Sequence, residues 1–351
     1  MALLEVRDLV KHFPVRDGVL AALRREPPRF VHAVDGVSFT VDAGETLAIV
    51  GESGSGKTTL GRLVLGLLRP TRGQILFDGE DITECSRERR FRLASQIQVI
   101  FQDPYSSLDP RQTVERIIKE PLDIHKVGTP AERRKQVLEL MERVRLASHY
   151  GRKYPHELSG GLRQRVSIAT ALALAPRLIV ADEPVSALDV SVQAQILDLL
   201  DELQHDTGIA YIFISHDLGV VHQMSDRVAV MYLGKILETG PLEQIFEHPQ
   251  QPYTRALLSA IPPADPAVQH DPIRLHGDVP TPIDPPAGCP FHPRCWLAVD
   301  ACRRLEPPLL TYEPGHLAAC HVTAAEQGFG ALVHDAQKGA PMTLIDSEGA
   351  R

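Results

Sequence analysis

The sequence has no surplus of positive charge: 37 Lys and Arg stand against 45 Asp and Glu, a formal net charge of -8. Such a chain lacks the basic face that displaces counterions from a polyanion, so nucleic acid is excluded as an expected partner. It also lacks the roughly 20 consecutive apolar residues of a bilayer-spanning helix; its most apolar stretch, 166–181, is broken by Pro176 and Arg177. The opening Met1-Ala2-Leu3-Leu4-Glu5 carries no basic region followed by an apolar one, so no secretory leader is expected and the chain is expected in the cytosol. Cysteine is scarce and unevenly placed: Cys85 stands alone, and Cys289, Cys295, Cys302 and Cys320 form a cluster. In a reducing compartment a cluster favours a metal over disulfides.

What is present suffices for one sizeable α/β domain and a smaller appendage, since 43% of the 351 residues are hydrophobic. Residues 3–13 and 30–42 read as strands, the second through the alternation of Val34, Val37, Phe39 and Val41. A polar insertion from Pro14 to Phe30 separates them. The apolar run Thr46 to Val50 ends in glycines, and Lys57 to Leu68 places Leu60, Leu63, Val64 and Leu67 at helical spacing. Residues 104–175 read as a helical lobe without strands; beyond them Leu178 to Ala181, Ile209 to Ile214 and Val228 to Tyr232 alternate with helical patterns, which argues for a parallel sheet. A proline-rich linker from Pro262 to Pro286 leads into a separate C-terminal module, closed by a Gly- and Ala-rich tail after about Ala324.

Chemistry concentrates in two places. Gly51-Glu52-Ser53-Gly54-Ser55-Gly56-Lys57-Thr58 has two glycines, a lysine and a hydroxyl at P-loop spacing between a strand and a helix. The glycines let backbone N–H groups turn toward phosphate oxygens, Lys57 reaches the β- and γ-phosphates, and Thr58 ligates magnesium. The strand Leu178 to Ala181 runs into Asp182 and Glu183; Asp182 would hold the magnesium through water, and Glu183 would polarise an attacking water.

With these motifs in place, the chain resembles the nucleotide-binding subunits of ABC transporters over roughly residues 3–262. The resemblance implies a P-loop ABC ATPase domain, a mixed sheet with a helical lobe, that binds ATP and Mg2+. It makes Gln102 a Q-loop residue that ligates magnesium, Leu158-Ser159-Gly160-Gly161 the signature motif, Ser186-Ala187-Leu188-Asp189 the D-loop and His216 the switch histidine at the γ-phosphate. Glu183, His216 and Gln102 are then the catalytic group, and Ser53 to Thr59, including Thr59 itself, hold the nucleotide. Phe13 matches the aromatic that stacks on adenine. Ser159, Gly160 and Gly161 would serve the ATP of a partner, since the signature is a second anion site at a helix N-terminus and the family clamps ATP between two subunits. One position departs from the family: Leu162 stands where glutamine usually follows the signature glycines, so the site this chain completes on its partner is expected to be the weaker one.

The stretches Phe101 to Arg111, His248 to Leu258 and Cys289-Pro290-Phe291-His292-Pro293-Arg294-Cys295 resemble the oligopeptide and dipeptide importers, most closely their second, F-type ATPase. That likeness implies residues 1–262 as the ATPase domain with its lobe at about 104–175, 263–324 as the cysteine-containing module and 325–351 as a tail. It also implies a second, different ATPase, two permeases and an external solute-binding protein as partners, at the cytoplasmic face of the inner membrane. Nickel and glutathione importers share this layout, and a nucleic-acid-associated ABC ATPase would normally carry two P-loops where this chain has one. The four clustered cysteines have gaps of five, six and seventeen residues. Four thiolates can hold zinc or an iron-sulfur cluster. Zinc ribbons mostly use closer pairs, and likeness to dipeptide importer ATPases adds weight to a 4Fe-4S cluster; zinc and free thiols stay open.

Overall fold

In the computed structural model, residues 2–15, 28–262 and 270–328 are described. Most of the insertion expected between the first two strands, residues 16–27, lies outside them, as does the tail from 329 onward. The strands are β1 (Leu4–Pro14), β2 (Phe30–Val41), β3 (Thr46–Val50), β4 (Arg72–Phe77), β5 (Glu80–Asp81), β6 (Ile97–Ile100), β7 (Leu178–Asp182), β8 (Ala210–Ser215), β9 (Arg227–Tyr232), β10 (Lys235–Pro241), β11 (Leu310–Glu313) and β12 (His316–Ala318). They form two sheets: an antiparallel one in the order β2-β1-β4-β5, and a larger one in the order β11-β12-β10-β9-β3-β8-β7-β6.

The five strands from β9 to β6 are mutually parallel, as expected from their alternation with helices. Strands covered on both faces read as unbroken apolar runs, which is why Thr46–Val50 and Ala210–Ser215 are buried at every position. Alternate residues feed different cores. Ile179, Ala181, Tyr211 and Phe213 pack with the helical lobe. Leu178, Val180, Ala210, Ile212 and Ile214 pack with the antiparallel sheet and the helix Lys57–Val64.

That helix is shorter than its sequence suggests. Gly66, at φ 67°, turns the chain out of the helix and leaves Leu67 60% exposed. The lobe contains helices Pro104–Ser107, Val114–Ile124, Pro130–Arg143 and Gly160–Leu172, and no strand among its residues. The third of these opens on a capping box, Thr129 accepting from the Glu132 backbone and Glu132 from that of Thr129, with Pro130 in the first turn.

The sheet continues past the proline linker. Antiparallel pairing of Glu238 with Ala318 and Thr239 with Leu317 adds the β11–β12 hairpin to β10. Beneath it Glu238 and His316, both fully buried, meet at 2.8 Å, and Glu238 also accepts from the backbones of Gln250 (2.6 Å) and Gln251 (3.1 Å). A buried carboxylate supplied with three donors is a specific joint between the segments that carry them. A third core likewise runs through the expected boundary, joining Ala48, Val50, Val230 and Tyr232 to Tyr253, Cys289, Phe291 and Cys302. Helix His321–Glu326 occupies the start of the expected tail. Among the described residues, no helix is long and apolar enough to cross a membrane.

Candidate nucleotide site

The loop between β3 and the helix Lys57–Val64 owes its path to its glycines. Gly56 has φ 107°, and a Cβ there would lie 2.0 Å from the carbonyl oxygen of Ala33. The side chain of Lys57 folds over the loop, donating to the carbonyls of Gly51 (2.7 Å) and Glu52 (2.9 Å). Burial depresses the proton affinity of its ammonium, and the carboxylates of Glu183, Asp182 and Glu52 oppose that effect. Lys57 is thus a cation in a carbonyl-lined loop faced by carboxylates, suited to polyphosphate.

Thr58 follows, its hydroxyl donating to Asp182 Oδ1 at 3.1 Å. Burial raises the pKa of Asp182, and the Thr58 hydrogen bond works against that rise. One residue on, Glu183 sits at φ 48°, a left-handed conformation uncommon for a side chain other than glycine, with its N–H held by Ile214 O at 2.9 Å. The turn aims its carboxylate at two partners. Gln102 Nε2 donates to one oxygen at 2.7 Å, and His216 Nδ1 stands 3.1 Å from the other. Two residues 81 and 33 positions away along the chain therefore converge on the Glu183 carboxylate at the ends of parallel strands, where ligands of open α/β sheets bind. Gln102 and His216 are exposed. The arrangement can hold a polyphosphate and a hard cation, with a carboxylate oriented by two polar groups beside them.

The signature residues lie elsewhere. Ser159 caps the helix Gly160–Leu172, accepting from the Leu162 N–H at 3.4 Å. Gly160 and Gly161 press against the D-loop helix; a Cβ on Gly161 would come 2.5 Å from Val192 Cγ1. Asp189 of the D-loop caps that helix, with its side chain accepting from Val192 N at 3.0 Å. Leu162 is half-buried against the lobe core, so the residue that departs from the family pattern has an apolar seat. Phe13 lies near the end of β1, opposite Val31, with the Lys11 ammonium 4.9 Å above its ring.

Sequence reading missed how the phosphate loop is gripped from the C-terminal side. The Glu52 N–H donates to the hydroxyl of fully buried Tyr253 at 2.8 Å, and Arg294 donates to the Glu52 carboxylate at 2.7 Å. Burial works against the Arg294 charge, but its hydrogen bond to Glu52 and the nearby Tyr232 outweigh that and raise its pKa. Both residues belong to stretches noticeable in the sequence; only their contact with Glu52 was hidden.

Arg294 adjoins Cys295. Cys289, Cys302 and Cys320 are buried and Cys295 half-buried. Burial, helped by the neighbouring cysteines, pushes the Cys289 thiol up to about 12 and that of Cys295 to about 11. Four thiols gathered in this way are a donor set that zinc and iron-sulfur groups both use. Among the described residues, the only three His, Cys, Asp or Glu ligand atoms within 4.8 Å of one another are those of His12, His32 and Asp35. No three of the sulfurs are drawn that close, whereas a tetrahedral zinc with bonds of roughly 2.3 Å needs sulfurs about 3.8 Å apart.

Residues 34–186 match the family described as ABC transporter, and residues 237–302 match the oligopeptide/dipeptide transporter C-terminal region. The oligopeptide transport ATP-binding protein AppF of Bacillus subtilis (strain 168) is 49% identical over 91% of this chain and 97% of its own length. The dipeptide transport ATP-binding protein DppF of Haemophilus influenzae is 48% identical over 91% of this chain and 96% of its own. Among solved structures, the ATP-binding cassette MJ0796, in a dimeric post-hydrolysis state bound to ADP and phosphate, superposes with a TM-score of 0.60 at 28% identity, covering 68% of this chain and 98% of that one.

Proposed function

Since the chain belongs to the ATP-binding subunits of ABC transporters, in their oligopeptide and dipeptide branch, we propose that it hydrolyses ATP to drive the import of small peptides through a membrane permease. The observation that carries this reading is the Gln102–Glu183–His216 constellation set beside Lys57, Thr58 and Asp182. Lys57, with the backbone of Ser53 to Thr59, binds the β- and γ-phosphates; Thr58 and Gln102 ligate Mg2+, with Asp182 behind a water. Glu183 orients the attacking water and His216 contacts the γ-phosphate. Phe13 stacks on adenine.

The anion site at Ser159, Gly160 and Gly161 belongs to the ATP of a second, different ATPase, which completes this chain's own site in return. Two permeases dock the pair at the cytoplasmic face of the inner membrane, and an external solute-binding protein delivers the peptide. Residues 1–262 form the ATPase domain and 263–324 the module. In that module Cys289, Cys295, Cys302 and Cys320 would hold a 4Fe-4S cluster, whose contribution is to staple a segment with little core of its own. Anaerobically purified protein is then brown and carries about four iron atoms per chain; colourless protein with one zinc would reassign the cysteines.

The decisive test is Glu183→Gln in the assembled transporter. The amide keeps the shape and removes the carboxylate, so ATP still binds while turnover falls by orders of magnitude. Retention of more than about a tenth of wild-type activity, a barrier change under about 1.4 kcal/mol, would refute the role given to Glu183. The chain by itself is expected to hydrolyse ATP slowly, and adding the partner ATPase and permeases is expected to raise the rate.

A further inference from the structure

Far from the cysteines, β1 and β2 bring three metal-ligating side chains together. His12 lies directly opposite His32, Val10 lies opposite Asp35, and the register shifts between Lys11 and His12. In a regular strand, residues 32 and 35, three apart, would face opposite sides of the sheet. The extra residue in β2 reverses that parity and turns both toward His12. His12 Nε2 is 3.1 Å from Asp35 Oδ1, His32 Nδ1 is 4.0 Å from Asp35 Oδ2, and the two imidazole centroids are 4.0 Å apart. All three ligand atoms fall within 4.8 Å of one another. Ligands bound at about 2.05 Å to a common tetrahedral cation stand about 3.3 Å apart, so small side-chain movements suffice.

His32 Nδ1 is the second observation. It is buried and has no hydrogen-bond partner, a state that costs free energy unless something answers its lone pair. Burial and the neighbouring His12 lower the proton affinity of this ring. Lys235, 3.4 Å from Asp35 Oδ2, is the competing cation, but it is shared with Glu306 at 2.5 Å. The charge of Asp284 also acts on His32, and the His32 N–H is fastened to Pro282 O at 2.8 Å.

We propose that His12, His32 and Asp35 form a binding site for one divalent cation of the zinc, cobalt or nickel class, set against the back of the phosphate loop. Two imidazoles and one carboxylate suit that class over magnesium or calcium, which prefer oxygen ligands alone. The location carries a consequence that rests on the nucleotide reading above. Ala33, between the ligands His32 and Asp35, presents its carbonyl to Gly56 of the phosphate loop, and His12 adjoins Phe13. A cation that fixes the bulge fixes the wall behind the loop, so its binding and that of ATP are coupled, each shifting the other's affinity by the same factor.

The test uses the full, tag-free chain with its cysteine site loaded, titrated with Co2+ and then Zn2+. The site predicts one equivalent of Co2+ with ligand-field bands and no thiolate charge-transfer absorption, displaced by Zn2+. His32→Gln and, separately, His12→Gln should each weaken Zn2+ binding about 10- to 100-fold, with thermal unfolding in chelator matching wild type to show that the fold is kept. Full-affinity binding in both folded variants, or a Co2+ spectrum dominated by thiolate charge transfer, overturns the proposal. Loss of cation binding in the variants with ATP affinity unmoved by Zn2+ in the wild type keeps the site and overturns the coupling, leaving the ATPase reading to its own test.

Discussion

At the phosphate loop, side chains from distant parts of the chain meet charge with charge: Lys57 is faced by Glu183, Asp182 and Glu52, and Glu183 by Gln102 and His216. Along the cysteine segment the buried groups are alike, and Cys302, Cys320 and Cys295 add to the burial that makes a thiolate at Cys289 unfavourable. The first region is organised by the protein itself, and substrate has only to enter it. In the second, four thiols are gathered with burial opposing their ionisation, so ionising them there needs a compensating positive charge. Arg294 and Tyr253 tie the two together, since both hold Glu52 while packing beside the cysteine segment.

Changes at that tie are the sharpest way to break the comparison. After the loss of turnover expected of Glu183→Gln, the largest effect belongs to Tyr253→Phe, which leaves the Glu52 N–H without its acceptor. A buried donor left unpaired costs about 1–3 kcal/mol, and denaturant unfolding of the purified chain should show it together with weaker ATP binding. Arg294→Met removes the charged half of the grip. Its expected signature is a several-fold rise in KM for ATP with kcat nearly unchanged, because Arg294 positions the loop and touches no reacting atom; an equal fall in kcat would place it in the chemistry instead.

The thiols separate the regions by pH. Cys289 and Cys295 hold their protons more tightly in the fold than the ordinary thiol value of 9.0, up to about 12 and about 11. Between those limits the unfolded chain binds fewer protons than the native one, so metal-free protein loses stability as pH rises from about 9. Metal-loaded protein, its thiols already deprotonated, should not follow that slope, and parallel urea melts at rising pH would show whether the two curves diverge. The smallest change is Leu162→Gln. It exchanges an apolar contact with the lobe for a polar group, with under about 1 kcal/mol of effect on stability, and should alter nucleotide trapping only at the partner's site; equal trapping at both sites before and after would remove the asymmetry.

The sequence by itself determined whatever is local or periodic. The phosphate loop is legible because its chemistry needs consecutive backbone N–H groups, which forces glycines, lysine and threonine into one short run. The parallel strands are legible because burial on both faces leaves unbroken apolar runs, and the lobe because its long stretch offers no strand pattern. Tertiary structure alone decided which distant groups meet. Family resemblance groups Gln102 and His216 with Glu183, but only the fold shows both on its carboxylate, and nothing about Glu52 announces Tyr253 and Arg294 from 201 and 242 residues away. Nor does the sequence show that the strand after the proline linker pairs with β10, where its His316 meets Glu238 beside the backbones of Gln250 and Gln251. His12, His32 and Asp35 meet through one extra residue in β2, since a single-residue slip changes the face of every side chain beyond it.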